Sequence, residues 1–275
     1  MIRFIVATGD HQSAIASFYE SLSDESMSMR FSARRSRSAL WDVAHLDAQR
    51  GDVSVLAIDV DRVIGEARYV PTQPSQAEFG VALLDDYQGR GIGPKLLREL
   101  RREAVTRGVS ALRAVVRADN RPMLSMVQSL ECAMVQPPTF GTVEFDMSAD
   151  HLMPGWAAGS RGVRVLVEAR GLYEHAATAQ LRQAGFSIRQ CPGPVARKGR
   201  TCPLLTQGRC RLAEQADIIA SLLPTEDADG RAVQRAHDAS HPDRVVANTV
   251  ADWNAAVPGL LEEARGWLAR RDVRG

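Results

Sequence analysis

The chain is short of several things, and each shortage excludes a class. It has no excess of one charge: 34 Lys and Arg stand against 33 Asp and Glu, for a net charge of +1. Nucleic acid or a membrane surface is therefore not expected as a bulk partner. No apolar run approaches 18 residues, so no transmembrane helix is expected. The opening MIRFIVATGDHQ is too polar for a signal peptide, and a cytoplasmic location is expected. With only 4 cysteines, free thiols are expected rather than a disulfide framework. Lysine is almost absent: Lys95 and Lys198 stand among a large excess of arginine, a composition bias without functional weight. Gly-x-Gly-x-x-Gly after a strand is missing, and no Gly-Lys-Ser/Thr closes a glycine loop. A dinucleotide fold and a nucleotide P-loop are thus poorly supported.

What is present is organised around Ala77 to Gly108. Phe79, Val81, Leu83 and Leu84 mark a buried strand over Ala77 to Leu84. Gln88-Gly89-Arg90-Gly91-Ile92-Gly93 follows. Leu96, Leu97, Leu100, Ala104 and Val105 then recur at helical spacing, with Lys95, Arg98, Arg101 and Arg102 between them. Glycines before a helix let backbone amides approach an anion, and the helix start favours phosphate. Pro94 removes one donor but suits a first helical turn.

The rest of the first half supplies a frame. Strands are expected at Arg3 to Thr8, Val53 to Ile58, Val63 to Val70, Ala111 to Val116, Ala133 to Gln136 and Thr142 to Met147. Asp59-Val60-Asp61-Arg62 makes a hairpin, and Pro71 to Gln76 a polar turn. Asp10 is expected to cap a helix bearing Ile15, Phe18, Tyr19 and Leu22. Ser21 to Arg37 reads as a mobile loop, and helices follow over Ser38 to Gln49 and from Asn120.

Gln-x-x-Gly-x-Gly after an apolar strand resembles the coenzyme A pyrophosphate loop of the GNAT superfamily of N-acetyltransferases. The order β-α-α-β-β-β-α-β-α-β-β over residues 1–147 matches that fold. Ser21-Leu22-Ser23-Asp24-Glu25-Ser26, then Met29-Arg30-Phe31, resembles the start of bacterial protein lysine acetyltransferases, as do Ala77-Glu78-Phe79 and Asn120-Arg121-Pro122-Met123-Leu124. The resemblance implies acetyl transfer from acetyl-CoA to an amine, with a protein lysine favoured. A small-molecule amine acetyltransferase and a non-catalytic acyl-CoA sensor are the alternatives.

An alkyl amine attacks only as the free base, so a base must take its proton. Glu78 is the candidate, on a strand face with Gly80 and Ala82. Burial there would raise its pKa as the task needs. The resemblance implies that the backbone of Val81, Ala82 and Leu83 holds the pantetheine arm and acetyl carbonyl. It likewise assigns Gln88, Gly89, Arg90, Gly91, Ile92, Gly93 and Pro94 to the pyrophosphate loop, and Asn120 to fixing the cofactor. Val127 stands where many relatives carry a thiolate-protonating Tyr, which leaves the general acid unassigned, with Ser125 and water as weak candidates. Leu130-Glu131-Cys132 replaces the usual Leu-Gly-Phe, and Cys132 reads as a buried structural thiol.

Ser148 to Arg161 reads as a linker. Residues 162–275 alternate strand and helix: Val163 to Glu168, Leu172 to Ala184, Phe186 to Arg189, Ala216 to Leu223, Arg231 to Ala239, Arg244 to Asn248. The pattern indicates a small parallel α/β domain, receiver-like or Rossmann-like, closed by a helix over Gly259 to Arg271. The acidic groups of a phosphorylated receiver are missing. Cys191, Cys202 and Cys210 invite a zinc reading with His175, His237 or His241, or a redox pair. No Cys-x-x-Cys is present, so no metal is assigned.

Overall fold

A computed structural model of the chain describes residues 1–31, 37–128, 130, 132–139, 141–150, 154–156, 162–169, 176–183, 185–191, 202–224, 226, 228–242, 244–247, 258–259, 262 and 266. It divides into two units, Met1–Met126 with Met147–His151, and Val127–Asp146 with Leu152–Gly275.

In the first unit the order is β1 (Arg3–Val6), α1 (Gln12–Glu20), α2 (Asp24–Phe31), α3 (Arg37–Ala44), β2 (Val53–Asp59), β3 (Arg62–Gln73), β4 (Gln76–Leu83), α4 (Ile92–Thr106), β5 (Ala111–Arg117) and α5 (Arg121–Gln128). Strands β1 to β4 pair antiparallel in chain order, and β5 joins β4 in parallel. The apolar stripe of α4 places Leu96, Leu97, Leu100 and Ala104 at full burial against β2, β3 and β4. Arg101, expected on the polar side, is buried too, and its Nη2 donates to the Ser148 carbonyl at 2.7 Å. The β2–β3 hairpin closes at Asp59–Arg62 as expected, with Val60 at φ +56°.

Three expectations are corrected here. The Ser21 to Arg37 stretch is not a loop throughout, because residues 24–31 form α2, held by buried Met27. Asp10 does not cap α1. A 3-10 turn, Gly9–His11, precedes that helix, and Thr8 exchanges hydrogen bonds with the His11 ring. The turn after β3 is tighter than Pro71 to Gln76, because β3 runs on to Gln73.

The second unit holds β6 (Cys132–Thr139), β7 (Thr142–Ser148), β8 (Arg164–Glu168), α6 (Ala176–Gln183), β9 (Ser187–Cys191), α7 (Pro203–Gln207), α8 (Arg211–Gln215), β10 (Ile218–Ser221), α9 (Ala228–Ser240) and β11 (Val245–Ala247). Four of its strands pair in parallel, in the order β9-β8-β10-β11. β6 runs antiparallel to β9, with Met134 opposite Gln190, so the sheet is mixed. Apolar residues fill both faces: Val165, Val167, Leu181 and Ile188 on one, Trp156, Leu166, Leu212 and Ile219 on the other. Helices α7 and α8 lie between the expected strands Phe186 to Arg189 and Ala216 to Leu223, where no element was expected. Of the expected final helix only Gly259, Glu262 and Gly266 are among the described residues.

Candidate active site

Strands β4 and β5 pair over a short ladder: Gln76 with Ala111, Ala77 with Leu112, Glu78 with Arg113. Among the described residues β5 offers β4 no registered partner beyond Glu78. The other edge of β4 stays bound to β3 as far as Leu83, opposite Gly65. The segment Val81, Ala82 and Leu83 thus lies beyond the end of the pairing with β5. Ala82 is buried, and Val81 and Leu83 are half-buried.

Side chains on a strand alternate between faces, and directly opposed residues share one. Glu78, Gly80 and Ala82 therefore share a face with their β3 partners Val70, Arg68 and Glu66. Ala77 and Phe79 are buried on the other face. Glu78 is exposed, so the burial expected to tune it is not supplied by the chain around it.

The loop after β4 is held from inside. Gln88 Nε2 donates to Ser26 Oγ at 3.0 Å, to Asp85 Oδ1 at 3.2 Å and to the Leu83 carbonyl at 3.3 Å. Ser26 Oγ in turn donates to Asp85 at 2.5 Å. Gln88 thus ties α2 to the loop. Gly89 and Gly91 have φ of +70° and +74°, a left-handed backbone that other residues adopt at a cost. A Cβ at either would meet nothing within 4 Å, so the loop frames open space. Gly91 is the N-cap of α4, with no side chain satisfying the first amides. Free amides and the positive end of a 15-residue helix suit a phosphate. Gly93 serves packing: a Cβ there would lie 3.2 Å from Met126 Sδ. Ile92 is a core residue at 3% exposure, Pro94 is half-buried, and the Arg90 guanidinium lies 5.2 Å from the Tyr87 ring centre. This open, uncapped cradle beside the parted strands fits a pyrophosphate carried on an amide-bearing arm.

Asn120 caps α5, its Oδ1 accepting from the Met123 amide at 3.1 Å. Val127 is fully buried and Ser125 is exposed.

On the same face as Glu78, along β3, lies a buried polar network that the sequence pattern did not reveal. Glu66 accepts from Tyr19 Oη, from Ser54 Oγ at 2.6 Å and from Arg68 Nε at 2.9 Å. Arg68 also donates to the carbonyls of Val43, of His45 at 3.1 Å and of Ala44 at 3.4 Å, closing the end of α3. Burial, with the Glu66 carboxylate beside it, raises the Tyr19 hydroxyl well above its ordinary range, so it stays a donor. The only signal in sequence was a pair of charges, Glu66 and Arg68, inside an apolar strand. Also missed was Arg30, whose guanidinium crosses Gly80. A Cβ at Gly80 would come within 2.5 Å of Arg30 Cζ.

In the second unit, Cys210 is buried with Cys191 and Cys202 packed against the same cluster. Burial pushes the Cys210 thiol up to about 11, so it stays protonated. His237 Nε2 lies 2.8 Å from Glu168 Oε1, with both side chains buried. Among the described residues no group of three or more His, Cys, Asp and Glu is placed to hold a metal. None of the described helices is long and apolar enough to cross a membrane.

Comparison with known proteins shows what the chain is similar to. The family model for the acetyltransferase (GNAT) family matches residues 15–130. Acetyltransferase SG1711 of Sodalis glossinidius is 27% identical over 99 residues, spanning 34% of this chain and 70% of that protein. The GNAT domain of S. lividans PAT is 27% identical with a TM-score of 0.48, covering 54% of this chain and 90% of that one. YncA from Salmonella typhimurium, solved with acetyl-CoA, is 17% identical with a TM-score of 0.46, covering 58% and 98%.

Proposed function

We propose that this chain, whose residues 15–130 match the acetyltransferase (GNAT) family, moves the acetyl group of acetyl-CoA to a lysine of another protein. Acetyl-CoA, the cosubstrate of the family, supplies an activated thioester. The chain's residues divide the remaining work. Amides at Gly89 to Gly93 hold the pyrophosphate. The open edge of β4 at Val81 to Leu83 holds the amide-bearing arm and orients the carbonyl. Asn120 fixes the start of α5 beside them. Glu78 takes a proton from the acceptor ammonium, and the freed amine attacks the thioester carbonyl as the C–S bond breaks and coenzyme A leaves as its thiolate.

The observation that carries the protein-lysine reading is the exposure of Glu78 at the end of the β4–β5 ladder. An exposed base suits an acceptor presented on a large partner, whereas a small amine would call for an enclosed pocket. The second unit carries no catalytic signature. We propose it as a regulatory or docking module in a cytoplasmic two-domain enzyme. Exchanging Glu168 for Gln in the full chain then alters rate or substrate range; unchanged values would leave the module without that role.

The deciding experiment is transfer of labelled acetyl from acetyl-CoA into a soluble cell extract, with Glu78→Gln beside the wild type. Label in protein that disappears with the variant supports the reading. Label confined to small molecules would replace the acceptor, and equal labelling by both proteins would remove Glu78 from its role.

A further inference from the structure

The Glu78 face of β4 is lined by arginine. The Arg30 guanidinium lies across Gly80, the next residue after Glu78 on that face, and only a glycine leaves it room. Arg113 stands beside Glu78 in the last rung of the β4–β5 ladder. Arg117, on the same face of β5, is paired with Asp119 at 2.5 Å, and its Nη1 reaches Ser28 Oγ of α2 at 3.4 Å. Between those arginines Val115 is 46% exposed. Opposing charge on this face comes from Glu78, from Asp119, which Arg117 already engages, and from the buried Glu66, which Arg68 already pairs at 2.8 Å. Arg30 differs from its neighbours in that it makes no ion pair or hydrogen bond with any described residue; its contact is stacking on Phe31, 4.8 Å from the ring centre. A half-buried guanidinium that gives up part of its hydration needs an anion in return.

We propose that Arg30 is a specificity-determining residue that binds a carboxylate of the acceptor, so that the preferred acceptor amine carries an acidic group close by. This rests on the lysine acetyltransferase reading above, and in that setting the carboxylate belongs to an Asp or Glu beside the target lysine. Planar guanidinium and carboxylate match in geometry and charge. Held there, the acceptor presents its amine to Glu78, one position away on the same strand face.

The test uses the full chain, acetyl-CoA and short blocked peptides with a central lysine flanked by glutamate in one and glutamine in the other. The wild type acetylates the glutamate peptide with kcat/KM about tenfold higher, chiefly through KM, the size expected of one charge-assisted contact. Arg30→Ala brings that ratio close to one. Gly80→Ala does the same with the charge retained, because the three atoms nearest its Cβ all belong to the movable end of Arg30. Arg30→Glu reverses the preference toward arginine-flanked lysine. Acetyl-CoA affinity and melting temperature, measured on each variant, keep a folding defect apart from a change in preference.

A ratio of one in the wild type overturns the proposal, as does a ratio that survives both Arg30→Ala and Gly80→Ala. If neither peptide is acetylated, the protein-lysine reading fails, and the carboxylate is sought on free amino acids against their methyl esters. Preference for the acids, lost in Arg30→Ala, then supports Arg30, and equal rates overturn it. Succinyl-CoA covers the remaining source of a carboxylate. If Arg30→Ala loses succinyl transfer while the acceptor ratio is flat, the guanidinium serves the acyl chain and the proposal falls.

Discussion

Glu78 and Arg113 form the last rung between β4 and β5, and the strands part immediately beyond it. The base candidate therefore sits at the fork, where backbone pairing gives way to open edge. Glu78→Gln preserves shape and removes the proton acceptor. The expected result is a kcat lower by about 10²- to 10⁴-fold, the usual size of general-base catalysis. Calorimetric acetyl-CoA affinity stays within about twofold of the wild type.

Gly91 at φ +74° caps α4 without a side chain. Gly91→Ala forces an L-residue into that backbone at a cost of about 1 kcal/mol. Because the loop frames the proposed phosphate cradle, acetyl-CoA affinity falls about tenfold. Equilibrium titration beside a denaturation curve separates the two effects.

Val60 holds φ +56° at the hairpin tip and is 75% exposed. A β-branched residue is poorly suited to that region, whereas Asn or Gly suits a two-residue hairpin turn. Val60→Asn and Val60→Gly are expected to stabilise the first unit by about 0.5–1 kcal/mol, read as a higher urea midpoint with no loss of acetyl transfer.

Glu66 and Arg68 are 1% and 6% exposed. Removing one member of a buried pair strands the other charge, which typically costs about 3–5 kcal/mol. Glu66→Ala is expected to do so, since Arg68 and the Tyr19 hydroxyl both lose their acceptor. Tyr19→Phe removes one donor and costs about 1 kcal/mol. Denaturant unfolding of both variants checks the order.

Burial lowers the His241 pKa below its usual value, with His237 and Arg244 adding repulsion against the pull of Glu214 and Glu168. The unfolded chain then binds the proton more tightly than the folded one. Stability is fully present above the unfolded pKa of 6.5 and is lost as pH falls from there through the folded value. His241→Gln flattens this part of the profile, measured as unfolding free energy between pH 7.5 and pH 5.

Legibility followed periodicity. The β4–loop–α4 block could be read because an apolar strand, paired glycines and a 3.6-residue stripe coincide there. Helix α2 could not, because DESMSMRF buries one side chain and holds its place through polar links such as Ser26 to Asp85. Arg101 carries no mark in sequence that distinguishes it from Arg98 or Arg102; only the nearby Ser148 carbonyl explains its burial. Gly93 sits inside the glycine motif yet serves packing against Met126, a long-range contact that spacing cannot reveal. Helices α7 and α8 span 5 residues each, too short for a period to show.

The parted edge of β4 has a thermodynamic consequence. On the proposed reading, the edge of β4 beyond Glu78 is a socket in the first unit that the arm of acyl-CoA fills. Ligand that binds only the folded state stabilises it by about 2.7 kcal/mol at one hundred times its dissociation constant. The lifetime of the enzyme against unfolding and proteolysis would then rise and fall with the supply of its cosubstrate, so that a cell short of acetyl-CoA loses the protein along with its activity.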